Sequence, residues 1–226
     1  MVRHDDAWAT DCEGASCAIS AGPVPVGLTL CTERIGRLRT GGRTPGPESR
    51  HVPPREWPGA KFAEEAGPPA RIDTGGVVLR VAADPIGVAF SDPLSSARVT
   101  LAEVRGCPGV RLRLELTDVQ HFYGLGEGGQ QFDRLGATRR FWNNHANHGH
   151  AADIPIPLLL SHLGWGLFFD NTGPAGITVG GGDAGRWLDY RCEEGPVDLY
   201  YLAGADLRDV LGHVAALLGR APLPPR

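Results

Sequence analysis

Hydrophobic positions along this chain recur mostly with a period of two. The clearest run is Val110-Arg111-Leu112-Arg113-Leu114-Glu115-Leu116, where apolar residues alternate strictly with charged ones. That pattern predicts a strand with one buried and one wet face. Val26-Gly27-Leu28-Thr29-Leu30-Cys31 gives a similar signal. Val77-Val78-Leu79-Arg80-Val81 and Gly87-Val88-Ala89-Phe90 read as paired short strands around a turn at Asp84-Pro85. Further strands are expected over 138–142, 154–160, 165–170, 175–179, 186–191 and 197–202, separated by turn residues at short intervals. Closely spaced strands of this kind predict a mainly β chain built as an antiparallel sandwich or a barrel.

Only one segment changes period. Leu207, Val210, Leu211, Val214, Leu217 and Leu218 fall on one stripe of a helix over 205–218. Asp206 and Asp209 favour its start, and Gly219 and Pro222 supply a stop. Residues 1–22 are small, polar and aperiodic and are expected to form an irregular leader. Residues 40–70 are rich in proline and glycine, which predicts a long irregular insertion with at most one short edge strand. The expected organisation is a leader at 1–22, a β-sandwich domain over 23–204, and a helix with linker over 205–226.

Composition narrows the function classes. With 226 residues the chain can bury a substantial core. Gly 32 and Pro 19 suit many turns and few helices. A net charge of −4 supplies no basic field, so no nucleic-acid partner is expected. No stretch approaches the roughly 20 apolar residues of a membrane helix, and no secretory signal opens the chain. A cytoplasmic location without a membrane partner is therefore the expectation. Five cysteines at 12, 17, 31, 107 and 192 are scattered, with no zinc-type pairing. They read as free thiols in a reducing compartment, with one disulfide as the alternative.

Three features are candidates for chemistry. Gly124-Leu125-Gly126-Glu127 is a tight turn with two glycines. No helix opens after it, so it reads as a positive-φ turn beside Phe122 and Tyr123 and not as a phosphate loop. Glu193 and Glu194 are adjacent near a strand, and adjacent residues on a strand point to opposite faces, so they cannot easily flank one bond and read as surface charges. The third feature is the stretch from Trp142 to Asp153. Trp142, Asn143, Asn144, His145, His148 and His150 crowd together there. A metal site, a solvated polar loop and a sugar-contacting loop are all open readings. Imidazole and amide groups hydrogen-bond hydroxyls, and an indole offers an apolar face to a pyranose ring. Irregular ligand spacing argues against the metal, and no metal or cofactor is expected.

Taken in order, Phe122-Tyr123-Gly124-Leu125-Gly126-Glu127, Trp142-Asn143-Asn144-His145, Ile154-Pro155-Ile156-Pro157-Leu158-Leu159-Leu160 and Gly166-Leu167-Phe168-Phe169-Asp170-Asn171-Thr172 resemble the N-terminal β-sandwich domain of glycoside hydrolase family 31, the α-glucosidase and α-xylosidase family. The resemblance covers 71–226 well and 21–60 weakly. It implies a galactose mutarotase-like sandwich with one C-terminal helix that leads through Gly219–Arg226 into a catalytic barrel. It also implies a role in carbohydrate metabolism, with an α-glycoside or oligosaccharide as ligand and the barrel as partner. The substrate-binding residues it implies are Trp142, Asn143, Asn144, His145 and His148, on a loop lent to the sugar site. In the family that loop often reads Trp-Asn-x-Asp, and His145 stands where the aspartate would be. The family's nucleophile is an aspartate followed by methionine and asparagine. Met1 is the only methionine here, so that motif is missing and no catalytic residue is expected within this chain. Two other readings share the sandwich: a stand-alone carbohydrate-binding module, and a mutarotase-like isomerase using Glu127 with His145 or His150 as acid and base.

Overall fold

The computed structural model describes residues 9–13, 16–20, 26–40, 49, 51–65, 70–83, 86–91, 98–106, 110–116, 121–127, 131–141, 154–180 and 187–220. Seventeen strands and one helix lie within them. Every strand pairing is antiparallel. The first sheet comprises β1 (Ala9–Glu13), β2 (Ser16–Ser20), β3 (Val26–Leu30), β4 (Ile35–Thr40), β17 (Asp198–Ala203), β14 (Trp165–Phe169), β13 (Leu158–Ser161) and β11 (Phe122–Gly124), in that spatial order. The second runs β12 (Thr138–Phe141), β15 (Ala175–Val179), β16 (Trp187–Cys192), β10 (Val110–Leu116), β9 (Arg98–Gly106), β8 (Ile86–Ser91), β7 (Val78–Ala83), β6 (Ala70–Asp73) and β5 (Ala63–Glu65). This is a mainly β, antiparallel fold, as the alternation predicts.

Residues 9–13 and 16–20 form the β1–β2 hairpin and are not irregular. Their apolar content is too low to reveal a strand, but β2 is held by pairing along β3 from Ser16↔Thr29 to Ile19↔Val26. Neighbour pairing, not local hydrophobicity, makes this element.

The main core lies between the sheets. Val26, Leu28 and Leu30 of β3 and Ala175, Ile177 and Val179 of β15 point into it at every second residue. Trp165, Leu167 and Phe169 of β14 join them, as do Leu199, Tyr201 and Ala203 of β17. Both faces of β17 are buried, because Tyr200 and Leu202 on its outer face lie under a second, smaller core.

Two elements cover that outer face. The helix α1 (Leu207–Leu218) packs Val210, Val214, Leu217 and Leu218 against it. Burying Val210 and Leu217 is worth roughly 1.5–3 kcal/mol each. Asp206 caps the helix start by accepting from the Asp209 N–H at 2.8 Å, and Gly219 ends it at φ 93°. Leu211 sits on the flank of the apolar stripe and stays half exposed. The second cover is the segment 51–62, which has neither helix nor strand and inserts Val52 and Trp57. Arg55 ties the two covers together. Its guanidinium donates to Ala216 O and to Leu217 O, the latter at 3.0 Å, and lies over the Trp57 ring. A cation on the last carbonyls of a helix satisfies acceptors that have no partner within it.

Beside this second core the outer face carries buried charge. Asp198 accepts a hydrogen bond from Arg37 Nε at 2.8 Å and forms an ion pair with Arg39 Nε at 3.1 Å, and Arg37 also lies over the Tyr200 ring. Burial opposes the Arg37 charge, but its hydrogen bonds to Asp198 prevail and hold its pKa above the ordinary value.

Asp170, just past β14, is buried beside the Ser49 hydroxyl and the His51 ring. Burial raises its carboxyl pKa, the Asp198 charge adds to the rise, and the Ser49 hydroxyl opposes it. A carboxylate with a raised folded pKa destabilises the fold at neutral pH. That penalty fades as pH falls through the raised pKa toward the unfolded value of about 3.9. Asp170→Asn is therefore expected to raise the unfolding temperature at pH 7, with the gain shrinking as the pH approaches 4. A variant less stable than wild type throughout that range would refute this account.

Candidate functional site

The connection between β12 and β13 crosses from the second sheet to the first. The candidate residues Trp142, Asn143, Asn144, His145 and His148, with His150 and Asp153, fall in it and lie outside the described residues. What the structure describes is the base from which that connection springs, and this base is built tightly.

The turn after β11 provides the main clamp. Gly124, Leu125 and Gly126 have φ of 99°, 64° and 82° in succession. Leu125 pays about 1–2 kcal/mol for a left-handed backbone, which burial of its side chain offsets. This turn lies flat against residues 154–158. Leu125 N donates to Leu158 O at 2.9 Å and Glu127 N donates to Ile154 O at 3.0 Å. A Cβ on Gly124 would sit 2.3 Å from Leu158 O, and one on Gly126 would sit 1.9 Å from Ile154 O. Both glycines are thus required twice, by conformation and by backbone approach. Two arginines also hold the turn. Arg134 donates to Gly124 O at 2.9 Å and to Gly126 O at 3.0 Å, and Arg139 donates to Glu127 O. The sequence signals the glycines but gives no hint of these arginines. Glu127 itself is exposed.

The base also borders a pocket of about 260 Å³. Phe141 at the start of the connection and Pro155 and Pro157 at its end form part of the wall. Phe169, Tyr190, Asn171, Thr172 and His51 line the rest. The Tyr190 ring stacks on Phe169 with centroids 3.9 Å apart, and its hydroxyl donates to Asn171 Oδ1 at 2.8 Å. Asn171 Nδ2 donates to Pro196 O at 2.6 Å, so the amide is fixed at both ends. Burial pushes the Tyr190 pKa well above its usual value, so its hydroxyl remains a neutral donor. His51, Asn171, Thr172 and Tyr190 come from separate elements, so the sequence does not mark them as candidates for one pocket.

Apolar surface lies near the clamp. Phe132 is 82% exposed and packs only partly on Tyr123, and Ile154 and Ile156 are 51% and 44% exposed. Glu193 and Glu194 are exposed, as expected of surface charges. Among the described residues, no group of three or more metal-type side chains converges, and no helix is long and apolar enough to cross a membrane.

Residues 25–177 match the family described as the glycosyl hydrolase 31 N-terminal galactose mutarotase-like domain. The chain belongs to this family. The family 31 domain is 34% identical over 122 residues to alpha-glucosidase 2 of Bacillus thermoamyloliquefaciens, a match covering 49% of this chain and 15% of that protein. Its fold is shared with a solved Flavobacterium johnsoniae family 31 dextranase complexed with isomaltotriose. That comparison has a TM-score of 0.84 at 23% identity and covers 96% of this chain and 28% of the dextranase. A soil-metagenome family 31 α-xylosidase complexed with xylose gives a TM-score of 0.76 at 15% identity, over 96% of this chain and 35% of that one. The family 31 domain thus spans about a third or less of each of these relatives.

Proposed function

We propose that this domain serves a longer α-glycosidase as a non-catalytic module that packs on a catalytic barrel and holds the 142–153 loop at the sugar-binding site. One observation carries the reading. The turn at 124–127, two arginines and the backbone of 154–158 are locked together at the root of that loop. A rigid root is what a binding loop needs, since misplacement by about 1 Å costs recognition. The exposed Phe132, Ile154 and Ile156 supply an apolar face near the same root, suited to a barrel partner.

Within this reading Trp142, Asn143, Asn144, His145 and His148 touch the sugar. His145 presents a group able to donate a hydrogen bond where the family's aspartate would accept one. In the longer enzyme, His145→Ala is expected to change KM or substrate preference by about 1–2 kcal/mol, a factor of roughly 5–30. Cys107→Ser should leave both unchanged. His145→Asp should shift the preference among α-glycosides rather than abolish binding. Steady-state kinetics on a panel of α-glucosides and α-xylosides provides the check. Unchanged constants for both His145 variants would remove the loop from the sugar site.

A further inference from the structure

The register of the β1–β2 hairpin sets Cys12 directly opposite Cys17. Only two residues connect Glu13 to Ser16, and those two are themselves paired. A two-residue connection closes on a pair that exchanges both backbone hydrogen bonds, and pairs then alternate along the hairpin. The next pair out, Cys12 with Cys17, is therefore a non-hydrogen-bonded pair. Such pairs have Cα atoms about 4.5 Å apart. Disulfides span Cα separations of about 4.4–6.8 Å.

The other described cysteines offer no competing partner. Cys17 pairs with Leu28, and Cys31 lies three residues further along, about 10 Å away at the rise of a strand. Cys31 is also buried in the second core, where burial pushes its thiol up to about 12. Cys192 is buried in the second sheet, and its thiol donates to Glu194 O at 2.8 Å. Cys107 lies outside the described residues.

We propose that Cys12 and Cys17 form a reversible cross-strand disulfide that locks the outermost hairpin of the first sheet. The oxidant is a small disulfide such as oxidised glutathione. One cysteine thiolate attacks it and releases one glutathione, forming a mixed disulfide. The second thiolate then attacks the protein sulfur and releases the other glutathione. Two protein thiols lose two protons and two electrons, and one small disulfide becomes two thiols. The crosslink would pin the register of β1 on β2. An edge hairpin of low apolar content has little else to specify that register.

Mass spectrometry of the full chain tests the assignment. After incubation with oxidised glutathione, the folded chain should be lighter by two hydrogens. On denaturing alkylation it should take up three labels in place of the five expected of the fully reduced chain. Cleavage after Glu13 separates Cys12 from Cys17 in sequence. The two fragments should stay joined until dithiothreitol is added, and fragmentation should place an alkyl label on Cys31 in the joined species. Five labels, a bond from Cys12 to Cys31 or Cys107, or arrest at glutathione adducts would each overturn the proposal. No substituted variant is needed for this reading, so misfolding of a variant cannot obscure it.

Discussion

Replacing Gly126 by alanine is expected to destabilise the domain by about 2–3 kcal/mol or more, among the largest single-residue effects in the molecule. Two costs act together. An L-residue forced to φ 82° loses about 1–2 kcal/mol. The new Cβ would also lie 1.9 Å from Ile154 O and 2.6 Å from Ile156 N. Backbone atoms cannot swing away as a side chain end can, so residues 154–156 must move and the Glu127 N–Ile154 O bond must lengthen or break. That adds about 1 kcal/mol or more. Gly75 is the control: it has φ 80°, and a Cβ placed there would meet nothing within 4 Å. Gly75→Ala should therefore show the conformational cost alone, about 1–2 kcal/mol. Urea unfolding of both variants checks the difference. Equal effects would mean that the clamp on 154–156 contributes nothing.

Asp198→Ala is the second large effect, expected at about 3 kcal/mol. Asp198 is buried and is the shared anionic partner of Arg37 and Arg39, whose side chains are themselves largely enclosed. Removing one partner of a buried pair leaves the other charges desolvated without compensation, and that cost dominates. Asp198→Asn should lose less, since the amide oxygen still accepts a hydrogen bond. Glu193→Ala removes the surface partner of Arg140, a 3.5 Å pair exposed on both sides, and should change stability by less than about 0.5 kcal/mol. Denaturant midpoints at pH 7 provide the comparison. A loss for Asp198→Ala no greater than that for Glu193→Ala would contradict the assignment of Asp198 as the anchor of the outer face.

The sequence carries those parts of the fold that depend on local periodicity. Val110–Leu116 and Leu207–Leu218 announce a strand and a helix, and both are present with nearly those bounds. The strand at Ile35–Thr40 escaped notice because Arg37 and Arg39 occupy its outer face. Only the pairing with Asp198, some 160 residues away, explains why charges can lie there. The β1–β2 hairpin is illegible for a related reason: its order comes from β3. At the candidate site, the glycines of 124–127 announce positive φ. Their second purpose appears only when the backbone of 154–158, about 30 residues later, is brought against them. The contacts of Arg134, Arg139, Asn171 and Tyr190 carried no signal, since a hydrogen bond to a distant carbonyl or amide leaves no period in the chain.

The most direct test of the central claim is the position of residues 142–153 in a crystal structure of the longer enzyme with a bound α-glucoside. The account predicts at least one of Trp142, Asn143, Asn144, His145 and His148 against the sugar, with a polar atom at about 2.7–3.2 Å from a hydroxyl. It also predicts that Leu125 and Glu127 still donate to Leu158 and Ile154 at the root of the loop. A loop that stays clear of the sugar while the root is intact would contradict the claim.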